Sequence, residues 1–240
     1  MDWLHKSWVL EDTLYAPKRI VNNKGSNWYP HIIGSFYSQK NKCSVEYESL
    51  NERIFYSYLE LDPFVFRYYV QPIEIPMITD KKEWFHIPDV LVFRQGSIPL
   101  LYQIKESPED NDTKILQRNQ ACEQVCSANN WNYDVVYPKT LPETLKRNIH
   151  FLKGYLKKRI YYSQWDQKVL KRLKWLEPCS VEEISTSFVD SIDPLYIKPL
   201  VFHLIAHGYL QVDVNEKIDS RCIVTLNREM KTISILEART

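Results

Sequence analysis

The chain has 240 residues, 44% of them hydrophobic and 25% charged, with a formal net charge of +1. That composition supports a sizeable core, in one large or two modest domains, and excludes both a wholly disordered chain and a basic coat over the entire surface. Any surface that binds nucleic acid must therefore be local. The five cysteines, Cys43, Cys122, Cys126, Cys179 and Cys222, are an odd set without C-x-x-C spacing. They point to reduced intracellular thiols and away from a zinc knuckle. No stretch approaches the ~20 apolar residues of a membrane span, and the N-terminal residues lack the pattern of a signal peptide, so a cytoplasmic protein without a membrane partner is expected.

Residues Met1 to Pro30 mix aromatics with Lys18, Arg19 and Lys24 without a sustained period and read as an irregular arm. His31 to Tyr37 and Cys43 to Tyr47 are apolar-rich runs around a polar turn, which predicts a hairpin. Ser49-Leu50-Asn51-Glu52 matches an S-x-x-E capping box and opens a helix that Asp62-Pro63 stops. Glu52 lies within roughly 60° of Phe55, Tyr56 and Leu59 on the helical wheel, at the margin of the apolar face. Two readings fit it: a carboxylate satisfied by the Ser49 backbone, or one aimed over a sheet edge towards Asp89.

Phe64 to Ile78 reads as a strand interrupted by Arg67 and Gln71, with Pro72 and Pro76 suggesting an edge or a kink. Trp84 to Phe93 and Ile98 to Glu106 form an expected central pair joined through Gln95-Gly96-Ser97. Gln103 and Lys105 are two apart, so a strand sends both to one face while Ile104 points to the other. With Asp89 on that same side, a carboxylate, an amide oxygen and an ammonium meet. Hard cations such as Mg²⁺ take oxygen ligands and keep waters, so Asp89, Gln103 and a backbone carbonyl such as that of Ile104 make a plausible seat. Lys105 beside it could orient or deprotonate an attacking water. The ordinary alternative is an Asp that opens a strand after a Pro, followed by an exposed Gln-x-Lys on an amphipathic strand.

Asp112 to Asn130 has helical character, with Ile115, Leu116, Ala121 and Val125 on one side; Trp131 to Tyr137 is a further strand, and Leu141 to Arg159 a second long helix ending in Lys157-Lys158-Arg159. This order suits a mixed sheet flanked by helices. Beyond Tyr161 the texture changes: helices at Asp166 to Leu176, Ser180 to Phe188 and Pro194 to His207 precede a hairpin of Tyr209 to Val214 with Arg221 to Leu226. Three short helices and a two-stranded ribbon resemble a winged helix. Its third helix is mostly apolar, which favours packing or protein docking over reading of the major groove. Lys153 to Lys174 holds eight Lys or Arg residues, so phosphate contact from Lys153, Lys157, Lys158 and Arg159 is an expectation, a solvated helix face being the alternative.

Taken together, Glu52, Pro88-Asp89 and Gln103-x-Lys105, in the order helix, strand, strand, strand, helix, strand, resemble the PD-(D/E)xK nuclease superfamily in a variant with Gln in place of the second acid. More narrowly they resemble TnsA, the endonuclease subunit of heteromeric transposases, across roughly Ile32 to Leu152. The resemblance implies a restriction-endonuclease-like α/β fold followed by a smaller winged-helix-like α+β domain, divided as an arm (1–30), a nuclease domain (31–155) and a C-terminal domain (156–240). It implies Glu52, Asp89, Gln103 and Lys105 as catalytic residues, and Mg²⁺, with Mn²⁺ able to substitute, held by Asp89, Gln103, Ile104 and Glu52. Double-stranded DNA at transposon ends, a TnsB-like transposase and a TnsC-like ATPase regulator are the implied partners. A stand-alone restriction or repair nuclease, or a winged-helix DNA-binding protein without catalysis, are the competing classes.

Overall fold

A computed structural model describes residues 3–19, 32–79, 82–108 and 113–228. The chain divides into two compact units, Met1–Tyr56 with Phe64–Thr140, and Ser57–Pro63 with Leu141–Thr240. The main division falls before Leu141, where the sequence placed it at 155/156. Among the described residues no helix is long and apolar enough to cross a membrane.

The first unit is mixed α/β. Its N-terminal stretch is not an irregular arm throughout: a short helix, α1 (Val9–Leu14), is followed by Tyr15, and the rings of Trp3 and Trp8 each meet Phe93 edge-on at 5.2 Å. Arg67 adds a bond from Nε to Asp12 at 3.0 Å. The rest of the expected arm, with Lys24, lies outside the described residues. The hairpin forms as β1 (Gly34–Tyr37) and β2 (Ser44–Tyr47), narrower than the sequence runs. Helix α2 (Leu50–Leu61) follows, and then β3 (Val65–Val70), β4 (Ile75–Thr79), β5 (Lys82–His86), β6 (Val90–Arg94), β7 (Leu100–Ile104), α3 (Thr113–Asn129) and β8 (Asn132–Val136).

Two strands expected to be continuous are each broken. The first breaks at Gln71, whose φ of 49° turns the chain out of β3. The second breaks at Ile87-Pro88-Asp89, where Pro88 has no N–H to offer a ladder. The pieces β4 and β5 pair with each other as a separate antiparallel hairpin. The main sheet has the order β3-β6-β7-β8, antiparallel except for β7 with β8, and α3 supplies the crossover that a parallel pair requires. Gly96, with a φ of 74°, makes the β6–β7 turn where a Cβ would be strained.

Both faces of the sheet are covered, which is why β6 reads as the unbroken run Val90, Leu91, Val92, Phe93, all buried. On one face Phe55 and Tyr56 of α2 meet Tyr102 and Tyr68, at ring separations of 5.2 and 6.1 Å. On the other, Tyr69, Leu91, Phe93 and Leu101 pack with Cys122 and Cys126 of α3. The two thiols, not Leu116, form the fully buried line of α3; Leu116 is exposed. Each large apolar side chain buried here is worth about 1.5–3 kcal/mol.

The second unit holds α4 (Glu143–Lys153), α5 (Tyr162–Leu176), β9 (Cys179–Ser180), α6 (Val181–Thr186), α7 (Pro194–Ala206), β10 (Leu210–Gln211) and β11 (Ile223–Leu226), with an antiparallel sheet in the order β10-β11-β9. Helix α4 stops at Gly154, so Lys157-Lys158-Arg159 lie in a loop and not on a helical end. The apolar α7 is the centre of this unit's core, burying Ile197, Leu200, Val201, Leu204 and Ile205. After it, Gly208 takes a φ of 73°, and a Cβ there would come within 3.2 Å of Pro63. The segment after α4 is held by two histidine rings: His203 Nδ1 lies 2.7 Å from the Tyr155 carbonyl and His207 Nε2 3.0 Å from that of Leu156. Buried Asn148 fixes the loop before β11, donating to the carbonyls of Val214 and Glu216 at 2.9 and 2.7 Å and accepting from the Ile218 amide at 3.0 Å.

Candidate metal centre

Asp89 sits in the break between β5 and β6, and its backbone is held from two sides. Its carbonyl accepts from the Gln71 amide at 2.9 Å and from the Tyr56 hydroxyl at 3.3 Å. The turn at Gln71 and the α2 face therefore fix where this residue stands. Asp89 Oδ2 accepts from the Ile104 amide at 2.5 Å and from Gln103 Nε2. Asp89 Oδ1 accepts no hydrogen bond from any described residue. Burial pushes this carboxyl up to about 7, and the Glu52 charge adds to the rise; the Ile104 N–H and the charges of Lys105 and Arg19 oppose it.

Gln103, at the end of β7, is buried, and its Oε1 has no hydrogen-bond partner. Two more orphaned polar atoms belong to the same neighbourhood, His86 Nε2 and Arg118 Nε. His86 ends β5; burial and then the charges of Arg118 and Lys105 push its pKa down to about 4, while the Gln103 amide beside it acts the other way. It is therefore neutral near pH 7. The Arg118 guanidinium stacks on Trp84 at 5.3 Å. Native interiors rarely leave buried polar atoms unpaired. Here Gln103 Oε1 and two atoms around His86 lack a partner among the described residues.

Glu52 caps the start of α2. Its Oε2 accepts from the Glu48 amide at 2.8 Å, one residue before the position a capping box would use, and its Oε1 from the Ser49 hydroxyl at 3.0 Å. It is also close enough for its charge to act on Asp89 and Tyr56. Burial raises its pKa, and the neighbouring charge of Glu48 adds to this; the bonds from Glu48 and Ser49 and the charge of Arg19 pull it down.

Lys105 follows β7, its amide donating to the Val136 carbonyl at 2.9 Å, and its charge acts on both Asp89 and His86. Ile104 presents its backbone N–H to Asp89. Lys153 ends α4, and Lys157, Lys158 and Arg159 are exposed in the following loop of the second unit, with Lys158 Nζ 3.9 Å from Asp166.

Among the described residues no group of three or more His, Cys, Asp or Glu is placed to hold a metal ion. The donors that are present, one carboxylate and one orphaned amide oxygen, suit a hard cation that keeps several waters. In the observed rotamer Gln103 gives its NH₂ to Asp89. Turning the amide over would give that NH₂ to His86 Nε2 and set Oε1 against Asp89, and two facing acceptors require a cation or a proton between them. An acid titrating near 7 can supply the proton, and a divalent ion can replace it.

No family model matches this chain. No curated protein matches it either. The reading of the centre therefore rests on its geometry. Sequence reasoning missed His86 and Arg118; the signal for His86 was its place three residues before Asp89, while Arg118 reaches the site only through the crossover helix.

Proposed function

We propose that the first unit is a metal-dependent endodeoxyribonuclease of PD-(D/E)xK type, and that the chain acts as a TnsA-like strand-cutting subunit beside a TnsB-like transposase and a TnsC-like ATPase regulator at transposon ends. The observation that carries the reading is the meeting of Asp89 with Gln103 around an amide oxygen that has no partner. The order α2, β3, β6, β7, α3, β8, with two antiparallel pairings and then a parallel one, supports a restriction-endonuclease-like fold, with β4 and β5 as an insertion. In the second unit, the order helix, strand, helix, helix and two strands supports the winged-helix reading, and the burial of α7 favours docking over groove reading by that helix.

On this reading Asp89 and Gln103 would hold Mg²⁺ or Mn²⁺, with Glu52 completing the site directly or through water. Once bound, the ion supplies charge neutralisation at the scissile phosphate and a more acidic water. Lys105 would orient the attacking water or, in its neutral form, take a proton from it. Neutral His86 would accept from the Gln103 NH₂ once the amide is turned over and so hold its oxygen towards the site, and Tyr56 and Gln71 keep Asp89 from shifting.

The test uses duplex carrying a transposon end, with Mg²⁺, a TnsB-like transposase and a TnsC-like ATPase. Asp89→Ala should abolish cutting with the fold retained. Lys105→Ala should lower the single-turnover rate by about 10²–10⁴-fold at saturating protein. Wild-type rates in Asp89→Ala would reject the centre, and full recovery of Lys105→Ala at saturation would reduce that residue to a phosphate anchor. Efficient site-specific cutting by the isolated chain would favour a stand-alone nuclease.

A further inference from the structure

The outward face of α5 carries Gln164, Gln167, Lys168, Lys171, Lys174 and Trp175, all exposed. No acid interrupts it. The helix's one carboxylate, Asp166, is half-buried on another side, 3.9 Å from Lys158 Nζ. Glu177, just beyond the helix, is taken up by the Leu226 amide at 2.8 Å and by Arg228. Lys168, Lys171, Arg172 and Lys174 form no ion pair among the described residues.

Two of these cations are held by aromatic faces instead. Lys168 Nζ lies 4.2 Å from the Trp165 ring and the Arg172 guanidinium 5.2 Å from Phe188. Trp165 and Phe188 in turn meet edge-on at 5.9 Å. Such contacts fix the head groups without neutralising them. Trp175, 88% exposed, has neither a ring neighbour nor a hydrogen-bond partner among the described residues. An unpartnered indole beside fixed, uncompensated cations and amide donors matches the two needs of an unpaired nucleotide: charge and donors for phosphate and sugar, and a flat apolar face for the base. A duplex hides its base faces in the stack and would leave the indole idle.

We propose that this face of α5 is a binding site for single-stranded nucleic acid, with Trp175 stacking on a base and Lys168, Lys171 and Lys174 contacting phosphates. The site stands apart from the nuclease reading. Its test runs in EDTA, which withholds any divalent ion from the Asp89 centre, so failure of one reading leaves the other standing.

Binding of the full chain to a short labelled oligothymidylate, and to a duplex of equal length, is measured by fluorescence anisotropy. The wild type should prefer the single strand. Trp175→Ala should weaken that binding by about 5- to 150-fold, from the usual value of one base–aromatic stack, and should leave the duplex almost unaffected; Trp175→Phe should retain most of the affinity. Replacing the three lysines by Ala should reduce the slope of log affinity against log salt by about 2. This second variant carries the test independently of the indole. Unchanged affinity in Trp175→Ala, equal losses on single strand and duplex, or competition by polyglutamate as strong as by oligothymidylate would each overturn the proposal, the last pointing to an acidic protein partner.

Discussion

Ser49-Leu50-Asn51-Glu52 at the start of α2 and Ser180-Val181-Glu182-Glu183 at the start of α6 are one capping device in two settings. In both, the Ser hydroxyl accepts from the Glu amide at 3.1 Å and the Glu carboxylate reaches back to a backbone N–H, that of Glu48 at 2.8 Å in the first and of Ser180 at 2.6 Å in the second. Glu183 is exposed, and the bonds from Ser180 hold its carboxyl below the usual range. Glu52 makes equivalent bonds, yet its carboxyl is raised by burial. Capping requires local donors and no burial. The added burden on Glu52 comes from its place beside Tyr56 and Asp89, and the local motif cannot account for it.

The comparison breaks most sharply on activity. Glu52→Gln and Glu183→Gln both keep a side chain able to cap. On the proposed reading the first should lower single-turnover cutting by about 10- to 100-fold, the cost typical of losing a supporting group at a metal site. The second should leave the rate alone. Equal rates in the two variants would confine Glu52 to capping.

The next effect is on stability against pH. Asp89, raised to about 7, is an acid easier to keep protonated in the fold, so its contribution is present near pH 4 and lost as pH rises through 7; Glu52, also raised, has the same sign. His86, lowered to about 4, has the opposite sign: its contribution is present above its unfolded value of 6.5 and lost as pH falls towards 4. The terms oppose each other between 4 and 6.5. His86→Gln should therefore unmask a loss on the order of 2 kcal/mol between pH 4 and 8, allowing for partial solvent access to Asp89. At pH 8 Mg²⁺ should raise the melting temperature of the wild type and leave Asp89→Asn where it was. A His86→Gln protein as stable at pH 8 as at pH 4, or an equal Mg²⁺ response in both proteins, would count against the centre.

How far the site could be read in advance follows from the range of the interactions. Asp89 and Gln103 meet across the β6–β7 hairpin, whose Gln95-Gly96-Ser97 turn and two-residue strand period are both local. The capping box was legible for the same reason. His86 and Arg118 were not, because their approach depends on the crossover through α3 and on β5 leaving the main sheet. The break at Gln71 needed a positive φ that no residue type announces. Leu116 was assigned inward from apolarity, whereas the register of α3 on β8 turns Cys122 and Cys126 inward. In the second unit the helices and their order could be read, but the end of α4 at Gly154 could not, since the apolar period continues to Leu156 and only the histidine rings of α7 hold the chain in its new direction.

The smallest expected effect isolates the cap itself. Ser49→Ala and Ser180→Ala each remove a hydroxyl that accepts from the third residue of a helix and also touches the Glu carboxylate. Each should cost about 1 kcal/mol, the usual loss for a Ser N-cap, read as a shift of the urea midpoint. Beyond that shared loss the two should part. Ser180→Ala removes a bond from a carboxylate that water can solvate at once, so its effect should end with stability. Ser49→Ala takes a donor from a buried carboxylate already raised by its surroundings, which should raise Glu52 further, because a hydrogen bond to the charged form is what held it down. Cutting by Ser49→Ala should then need a higher pH for half-maximal rate than the wild type does, while Ser180→Ala follows the wild-type profile. Coincident pH profiles for all three proteins would mean that Glu52 is decoupled from the chemistry, and the two boxes would be alike after all.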